Sequence, residues 1–429
     1  MNSRLPLSQT TCSIITIGDE LLIGQTIDTN SAWMAQELNT IGVQVINRIA
    51  VGDNREAIWK ALDETISHSS IVLITGGLGP TADDITKPLL CDYFGGKMIV
   101  NKDVLAHVTY IFTEILKRPL LERNMKQAEV PDNCTVLLNK RGTAPGMWFE
   151  RNDSSSPSKK IIVSMPGVPH EMKGLMLNEV IPRLKTINKD FEIHHRTLLT
   201  AGAGESFIAE RLQSWESALP HPIKLAYLPN YGMVRLRLTV MANKDAALES
   251  LIDTKFKELQ ELLSDIMVIA EDAPLEKALG DLLLQKKKTI ATAESCSGGY
   301  IAHLLTSIAG SSAYYKGSVV AYDNSIKEKL LGVSPETLQQ QGAVSSETVT
   351  EMLKGILASA GADFGIAVSG IMGPAGGTED KPVGTVWVAV GSAESQQTQS
   401  FHFRFDRQRN IQLTAANAML LMWKYIRAL

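Results

Sequence analysis

The chain has 429 residues, 44% of them hydrophobic and 21% charged, and carries a net charge of −4. That length exceeds one ordinary core, so two or three domains are expected in a soluble, globular protein. An acidic balance without a basic stripe argues against a nucleic-acid partner, and no apolar run is long enough to span a membrane. The first residues lack the charged-then-apolar order of a signal peptide, and Cys12, Cys91, Cys134 and Cys296 are scattered without metal-ligand spacing. The expected setting is therefore a reducing one, the cytoplasm.

The first elements alternate. An apolar strand from Cys12 to Ile17 ends at Gly18-Asp19-Glu20, and Asp28-Thr29-Asn30 caps a helix with Met34, Leu38 and Ile41 on one face. A strand from Gln44 to Ala50 and a helix bearing Ile58, Leu62 and Ile66 follow, and then the buried strand Ile71-Val72-Leu73-Ile74. This βαβαβ order predicts a doubly wound α/β domain whose ligands bind beyond the carboxyl ends of its strands.

At one such end stands Thr75-Gly76-Gly77-Leu78-Gly79-Pro80-Thr81-Ala82-Asp83-Asp84-Ile85-Thr86. Glycines turn tightly and leave backbone N–H groups for phosphate oxygens, and hydroxyls and carboxylates in the same turn suit a divalent metal bridging those phosphates. Gly18-Asp19-Glu20 should meet this turn in space. The stretch Arg151 to Lys160 resembles a linker, but flanking strand-like runs make it an exposed hairpin tip.

Between Thr186 and Glu271 the pattern becomes a small α+β module with few clustered polar residues, read as a connector. A helix from Leu275 to Gln285 then passes the surface lysines Lys286-Lys287-Lys288 and leads to the strand Thr289 to Ala293. Further strands are expected at Gly317 to Tyr322, Phe364 to Ser369, Val383 to Val390 and Thr398 to Phe405. The expected domains are 1–185, 186–271 and 272–429.

After the strand at Thr289 comes Glu294-Ser295-Cys296-Ser297-Gly298-Gly299, three potential nucleophiles at a strand–helix junction. From the residues alone, Ser295 reads equally as a catalytic hydroxyl or as a helix N-cap, and Cys296 as a buried structural thiol. His303 reads as a surface or packing residue. The alternative base is Lys327, with Tyr322 nearby in the sequence, and serine–lysine pairs perform acyl transfer elsewhere. Ser369-Gly370-Ile371-Met372-Gly373-Pro374 forms a second small-residue loop, and Arg407 or Arg409 opens the last helix toward a phosphate or stands as a helix-start charge.

Over essentially its whole length the sequence resembles the CinA family of competence/damage-inducible proteins. The N-terminal part resembles the MoaB/MogA fold through Gly18-Asp19-Glu20-Leu21-Leu22, Asp28-Thr29-Asn30-Ser31, Thr75 to Thr86 and Pro166-Gly167-Val168-Pro169. The C-terminal part is similar to nicotinamide mononucleotide deamidase through Ala293 to Gly299, Ala309-Gly310-Ser311-Ser312, Tyr322, Lys327, Gly342-Ala343-Val344-Ser345, Ser369-Gly370 and Pro382-Val383-Gly384-Thr385.

The resemblance implies two hydrolases of pyridine-nucleotide salvage in a homodimer acting on free nucleotides. One, without a cofactor, converts nicotinamide mononucleotide to nicotinate mononucleotide and ammonia. Ser295 would be its nucleophile, Lys327 its base and Tyr322 a proton relay, with Ser297 a second candidate nucleophile. Gly298, Gly299, Ser312, Ser369, Gly373 and Arg407 would bind its substrate. The other cleaves ADP-ribose to AMP and ribose 5-phosphate with Mg2+, Mn2+ or Co2+ and potassium. Asp84, Glu20 and Asp83 would hold its metal, near Asp19, and Gly76, Gly77, Gly79, Thr81 and Asn30 its substrate. The chain departs from the family in Gln408, Arg409, Asn410, Ile411 and Gln412, where further arginines are expected. The fold also admits a molybdopterin-binding protein or a competence-related regulator.

Overall fold

The computed structural model describes residues 10–81, 84–152, 159–188, 191–230, 232–243 and 246–429, in two compact units. The first comprises the chain up to His194 with Val240–Glu249. Its β1 (Thr11–Ile17) leads through the short α1 (Asp19–Leu22) and α2 (Thr29–Thr40) to β2 (Gln44–Val51), and α3 (Arg55–His68) to β3 (Ile71–Thr75). The Asp28 carboxylate accepts from Ser31 N and caps α2, as its sequence predicts. α4 (Thr86–Tyr93), β4 (Met98–Val100), α5 (Lys102–Tyr110), α6 (Glu122–Met125) and β5 (Glu129–Pro131) form an excursion in which β4 and β5 pair. β6 (Thr135–Leu137), β7 (Gly146–Arg151) and β8 (Lys160–Met165) return to the sheet, and α7 (Pro169–Leu175) and α8 (Ile181–Ile187) follow.

The sheet order is β2-β1-β3-β8-β7-β6. β1 runs parallel to β2 and β3, and β3 to β8, whereas β7 and β6 run antiparallel. Arg151 pairs with Lys160, so the hydrophilic stretch is a hairpin connection, although residues 153–158 lie outside the described residues. Along β1 successive side chains face opposite ways. Cys12 and Ile14 pack with Met34 and Leu38, while Ile15 and Ile17 pack with Ile58 and Leu62. Both faces are covered by helices, which makes the domain doubly wound.

β9 (Phe191–Ala201), α9 (Glu205–Ser217), β10 (Lys224–Asn230), β11 (Met233–Asn243), α10 (Ala246–Leu262) and β12 (Met267–Ile269) build the middle module, with sheet order β10-β11-β9-β12. Its residues His195–Thr239 and 250–271 belong to the second compact unit, together with the C-terminal domain. That domain contains α11 (Leu275–Lys286), β13 (Ile290–Glu294), α12 (Tyr300–Ser307), β14 (Tyr315–Val320), α13 (Asn324–Leu331), α14 (Pro335–Gln340) and α15 (Ser346–Ala360). β15 (Phe364–Gly370), β16 (Thr385–Gly391), β17 (Gln396–His402) and α16 (Arg407–Arg427) complete it.

Its sheet order is β14-β13-β15-β16-β17, with β13 parallel to both neighbours and β16 and β17 antiparallel. The strand expected from Val383 begins at Thr385, because Pro382-Val383-Gly384 turns so that Gly384 N donates to Ile371 O at 2.7 Å. β17 ends at His402, short of the expected Phe405. On one face Ile290, Ile366 and Val388 pack with Leu279 of α11 and Met419 of α16. On the other, Ala291, Ala293, Ala367 and Ala389 present only small side chains, which lets Val349, Met352 and Leu353 of α15 seat closely. No described helix is long and apolar enough to cross a membrane.

Candidate functional sites

In the N-terminal domain, Gly18, Glu20, Gly76, Gly77, Leu78, Gly79, Asp84 and Glu171 border one cavity of about 410 Å³. The ends of β1 and β3 therefore meet, as their topology predicts. The turn itself is largely self-satisfied. Gly76 N donates to Met165 O at 3.1 Å, Gly79 N to Asp84 Oδ1 at 2.7 Å and Thr81 N to Asp84 Oδ2 at 3.0 Å. The Thr81 hydroxyl also donates to Asp84. Asp84 thus braces its own loop, and three of the expected phosphate donors are already engaged. Gly77 N and Leu78 N donate to nothing in the described protein. Gly77 has φ +64°, and a side chain there would collide with the Thr86 hydroxyl at 2.1 Å, so this close turn requires glycine.

Asn30 donates to Gly167 O at 2.7 Å and ties α2 to the Pro166-Gly167 loop, leaving its Oδ1 buried without a partner. Asp19 is engaged with the Asp53 loop: its N donates to Asp53 Oδ2, and its Oδ1 accepts from Asp53 N at 3.1 Å. Glu20 borders the cavity, and its carboxylate makes no hydrogen bond among the described residues. Asp83 lies outside the described residues.

Sequence reasoning missed three contributors. Glu171, in the first turn of α7, accepts from Asn139 Nδ2 at 2.6 Å, and burial pushes its carboxyl above the usual range. Gln127 donates to Leu78 O at 3.3 Å and accepts from the Thr143 hydroxyl at 3.3 Å, bridging two walls of the cavity. Behind it the Lys87 amine, 7% exposed, donates to Gln127 O at 2.7 Å, and burial brings it down to about 8. A buried lysine between apolar neighbours was the available signal. Among the described residues no three of His, Cys, Asp and Glu cluster closely enough to cage an ion. Magnesium is commonly held by one or two carboxylates plus substrate phosphates, and Glu20 with Asp84 fits that donor set.

In the C-terminal domain, Ser295 follows β13 directly, between β14 and β15. Its N donates to Val368 O at 3.0 Å, and Ala321 N donates to Glu294 O at 2.8 Å, which fixes the three strand ends side by side. Ser295 is 8% exposed, and its hydroxyl makes no hydrogen bond among the described residues. It does not cap α12. Gly299 occupies the N-cap, and the neighbouring Glu294 carboxylate caps the helix instead. Fully buried, Glu294 accepts from Ile301 N at 3.0 Å, Ala302 N at 2.8 Å, the Ser297 hydroxyl at 2.7 Å and the Thr292 hydroxyl at 3.3 Å. Ser297 is thereby committed to Glu294, which the sequence reading overlooked.

Gly298 N is engaged with Ser295 O at 3.2 Å, whereas Gly299 N has no acceptor among the described residues. Both glycines have positive φ, 61° and 92°, which tightens the turn. Cys296 is buried, which pushes its thiol up to about 12 and makes it inert at neutral pH.

Lys327, on α13, is 1% exposed, and its amine donates to Ala321 O at 2.9 Å and Tyr322 O at 3.3 Å. Burial holds it below the ordinary lysine range. Because Ala321 lies beside Ser295 on the adjacent strand end, the amine is anchored one strand away from the free hydroxyl. The Tyr322 hydroxyl accepts from Arg407 Nη2 at 2.8 Å. Arg407 Nη1 donates to Gly373 O at 2.8 Å, so Tyr322, Arg407 and the Gly373 loop form one rim. The Ser369 hydroxyl donates to Ala343 O at 2.6 Å. Arg409 lies with its guanidinium 4.6 Å from the Phe405 ring centre, away from this rim. His303 is exposed. Ser312 precedes β14 at the opposite, N-terminal end of the parallel strands, roughly 20 Å of strand away. Within the chain it is not brought to the Ser295 turn.

Three family descriptions match the sequence: a probable molybdopterin binding domain over residues 13–186, a damage-inducible protein CinA KH domain over 195–267, and a CinA C-terminal domain over 272–426. The KH match gives the middle module an identity its pattern did not reveal. The GxxG loop with which KH domains clamp nucleic-acid backbones has no counterpart here, where β9 passes to α9 through Gly202-Ala203-Gly204. A CinA-like protein from Flavobacterium psychrophilum is 43% identical over 96% of this chain and 98% of its own, and one from Cytophaga hutchinsonii is 44% identical over 96% and 97%. A solved CinA superfamily protein from Klebsiella pneumoniae is 35% identical, covering 36% of this chain and 97% of its own, with a TM-score of 0.36. An N-terminal MoaB/MogA-like domain, a KH-like module and a C-terminal CinA domain thus follow one another, and the chain belongs to the CinA family.

Proposed function

We propose that the C-terminal domain is an amidohydrolase that opens the carboxamide of nicotinamide mononucleotide. The observation that carries this reading is a Ser295 hydroxyl without a partner among the described residues at the end of β13, next to a strand end, Ala321, whose carbonyl anchors the buried Lys327 amine of α13. Neutral lysine accepts the Ser295 proton as Oγ attacks the carboxamide carbon, and the Gly299 N–H stabilises the oxyanion. The C–N bond breaks, ammonia leaves with the proton held by Lys327, and water then hydrolyses the ester to the nicotinate product. Arg407, oriented by Tyr322 OH and Gly373 O, meets the nucleotide phosphate.

For the N-terminal domain the proposal is cleavage of the ADP-ribose pyrophosphate. A divalent metal held by Glu20 and Asp84 would supply positive charge between the phosphates when bound. Gly77 N and Leu78 N receive a phosphate oxygen, Glu171 and Gln127 border the same cavity, and Asp84 keeps the turn in shape. The reading carries with it a cytoplasmic homodimer acting on free nucleotides, which light scattering would check.

The test is a substrate panel on the full chain. Ammonia release from nicotinamide mononucleotide should persist with chelator and vanish in Ser295→Ala. AMP release from ADP-ribose should vanish with chelator and persist in Ser295→Ala. A folded Ser295→Ala protein that still releases ammonia at the native rate overturns the amidase. A molybdopterin-binding reading of the N-terminal cavity would instead be favoured by tight calorimetric binding of molybdopterin with no AMP formed.

A further inference from the structure

Glu171 borders the N-terminal cavity with one of its carboxylate oxygens fixed in place. Oε2 accepts from Asn139 Nδ2 at 2.6 Å, and Asn139, 2% exposed, is itself locked. The same nitrogen donates to Ala144 O at 3.0 Å, and Asn139 Oδ1 accepts from Arg141 N at 3.0 Å. Gly142 packs directly against the carboxyl, where an added side-chain carbon would stand 2.1 Å from Oε2. Glu171 Oε1 has no hydrogen-bond partner among the described residues.

The wall that carries this carboxylate is tied to the turn with the free N–H groups. Thr143 follows Gly142, its hydroxyl donates to Gln127 Oε1 at 3.3 Å, and Gln127 Nε2 donates to Leu78 O at 3.3 Å. The cavity's other carboxylates are otherwise committed. Asp84 braces Gly79 and Thr81, Asp53 accepts from Asp19 N, and Glu20 joins Asp84 in the donor set for a cation. Burial lifts the Glu171 carboxyl toward the basicity that proton transfer from water requires. We propose that Glu171 is the general base for the water that attacks the pyrophosphate, a role that rests on the ADP-ribose reading of this cavity. The water oxygen bonds to one phosphorus as its proton passes to Glu171 Oε1. The bridging P–O bond breaks, and the departing phosphate monoester takes up that proton. Around the carboxylate stand His170 on its own turn, Arg141 beside Gly142, and Glu20, Asp53 and Asp84 at the same cavity.

The test is Glu171→Gln in the full-length protein, a change of nearly equal shape whose amide oxygen still accepts from Asn139. With ADP-ribose and Mn2+, kcat for AMP release should fall about 10³-fold while KM stays within about twofold. Hydroxide replaces the missing base, so the variant's rate should climb about tenfold per pH unit between about pH 7 and 9 and approach the native rate. Mn2+ affinity, read by electron spin resonance, and ammonia release should not change. A weakened Mn2+ affinity would make Glu171 a metal ligand and overturn the proposal, as would a loss confined to KM. If the native protein forms no AMP, the ADP-ribose reading falls and this role with it. AMP formed equally by native and Glu171→Gln protein removes the base alone.

Discussion

The two glycine turns of this chain occupy equivalent places, each just past a central parallel strand, yet they dispose of their polar groups in opposite ways. In the N-terminal turn the carboxylate of Asp84 closes onto its own backbone, and the walls around it are acidic or amide. In the C-terminal turn the carboxylate of Glu294 is buried beneath α12, and a hydroxyl is left unpaired at the surface of the turn. On the proposed reading the first is a cradle for a ligand that arrives with its own charge and cation, and the second presents a nucleophile whose base is already in the wall.

The sharpest way to break this contrast is to remove the nucleophile. Ser295→Ala should lower ammonia release by at least about 10³-fold while AMP release is unchanged. Lys327→Met should do nearly the same. In the native protein the acylation rate should rise with pH as the Lys327 amine loses its proton, and level off below the ordinary lysine range. A flat pH–rate profile across that window would remove Lys327 as base.

On the other side, Asp84→Ala should reduce AMP release on the order of 10²-fold, because an unbraced turn misplaces its free N–H groups. Ammonia release should not change. Equal loss of both activities would mean that the variant disturbs the fold and that the contrast between the turns is not the cause.

Much of this was legible in the sequence, and the reason is physical. The apolar runs at Cys12 to Ile17 and at Ile71 to Ile74 signal a buried parallel sheet, and glycines at strand ends mark where ligands approach. What was not legible is which polar group each side chain engages. Asp84 reads as a ligand because its pattern is that of a metal-binding turn, and that pattern does not show that the same carboxylate also closes the loop on itself. Glu294 was invisible because it reads as the end of a strand, and only the fold aims it under α12. Ser312 shares a motif with the site yet lies at the other end of the strands, since α12 carries the chain back along the full strand length. Lys87 hid in an apolar helix whose burial pattern no single sequence displays.

Ser297→Ala sharpens the second turn. It removes one donor from a buried carboxylate and should cost about 1–3 kcal/mol in urea unfolding. Ammonia release should fall roughly tenfold, in kcat rather than KM, as the turn bearing Ser295 loosens. Ser297→Thr keeps the hydroxyl and should restore both. Loss as deep as that of Ser295→Ala, unrescued by threonine, would make Ser297 the nucleophile and Ser295 its neighbour.

The smallest effect concerns the first turn and is read in stability. Lys87 is buried behind Gln127, with its amine brought down to about 8, so the folded protein sheds its proton earlier than the unfolded chain. Between about pH 8 and the ordinary lysine pKa near 10.5, the unfolded state binds more protons, and stability therefore rises with pH, by about 1 kcal/mol per unit. Below pH 8 both states are charged, and the cost of burying the ammonium is carried in full. Lys87→Met should flatten this slope in urea midpoints taken at pH 7.5, 8.5 and 9.5. Because the amine also holds the Gln127 carbonyl, the same variant should loosen the wall that Gln127 shares with Leu78 and Thr143. AMP release should then fall severalfold while ammonia release is untouched. An unaltered stability slope would show that the buried amine stays charged across the window, held by its carbonyl partners more strongly than burial opposes it.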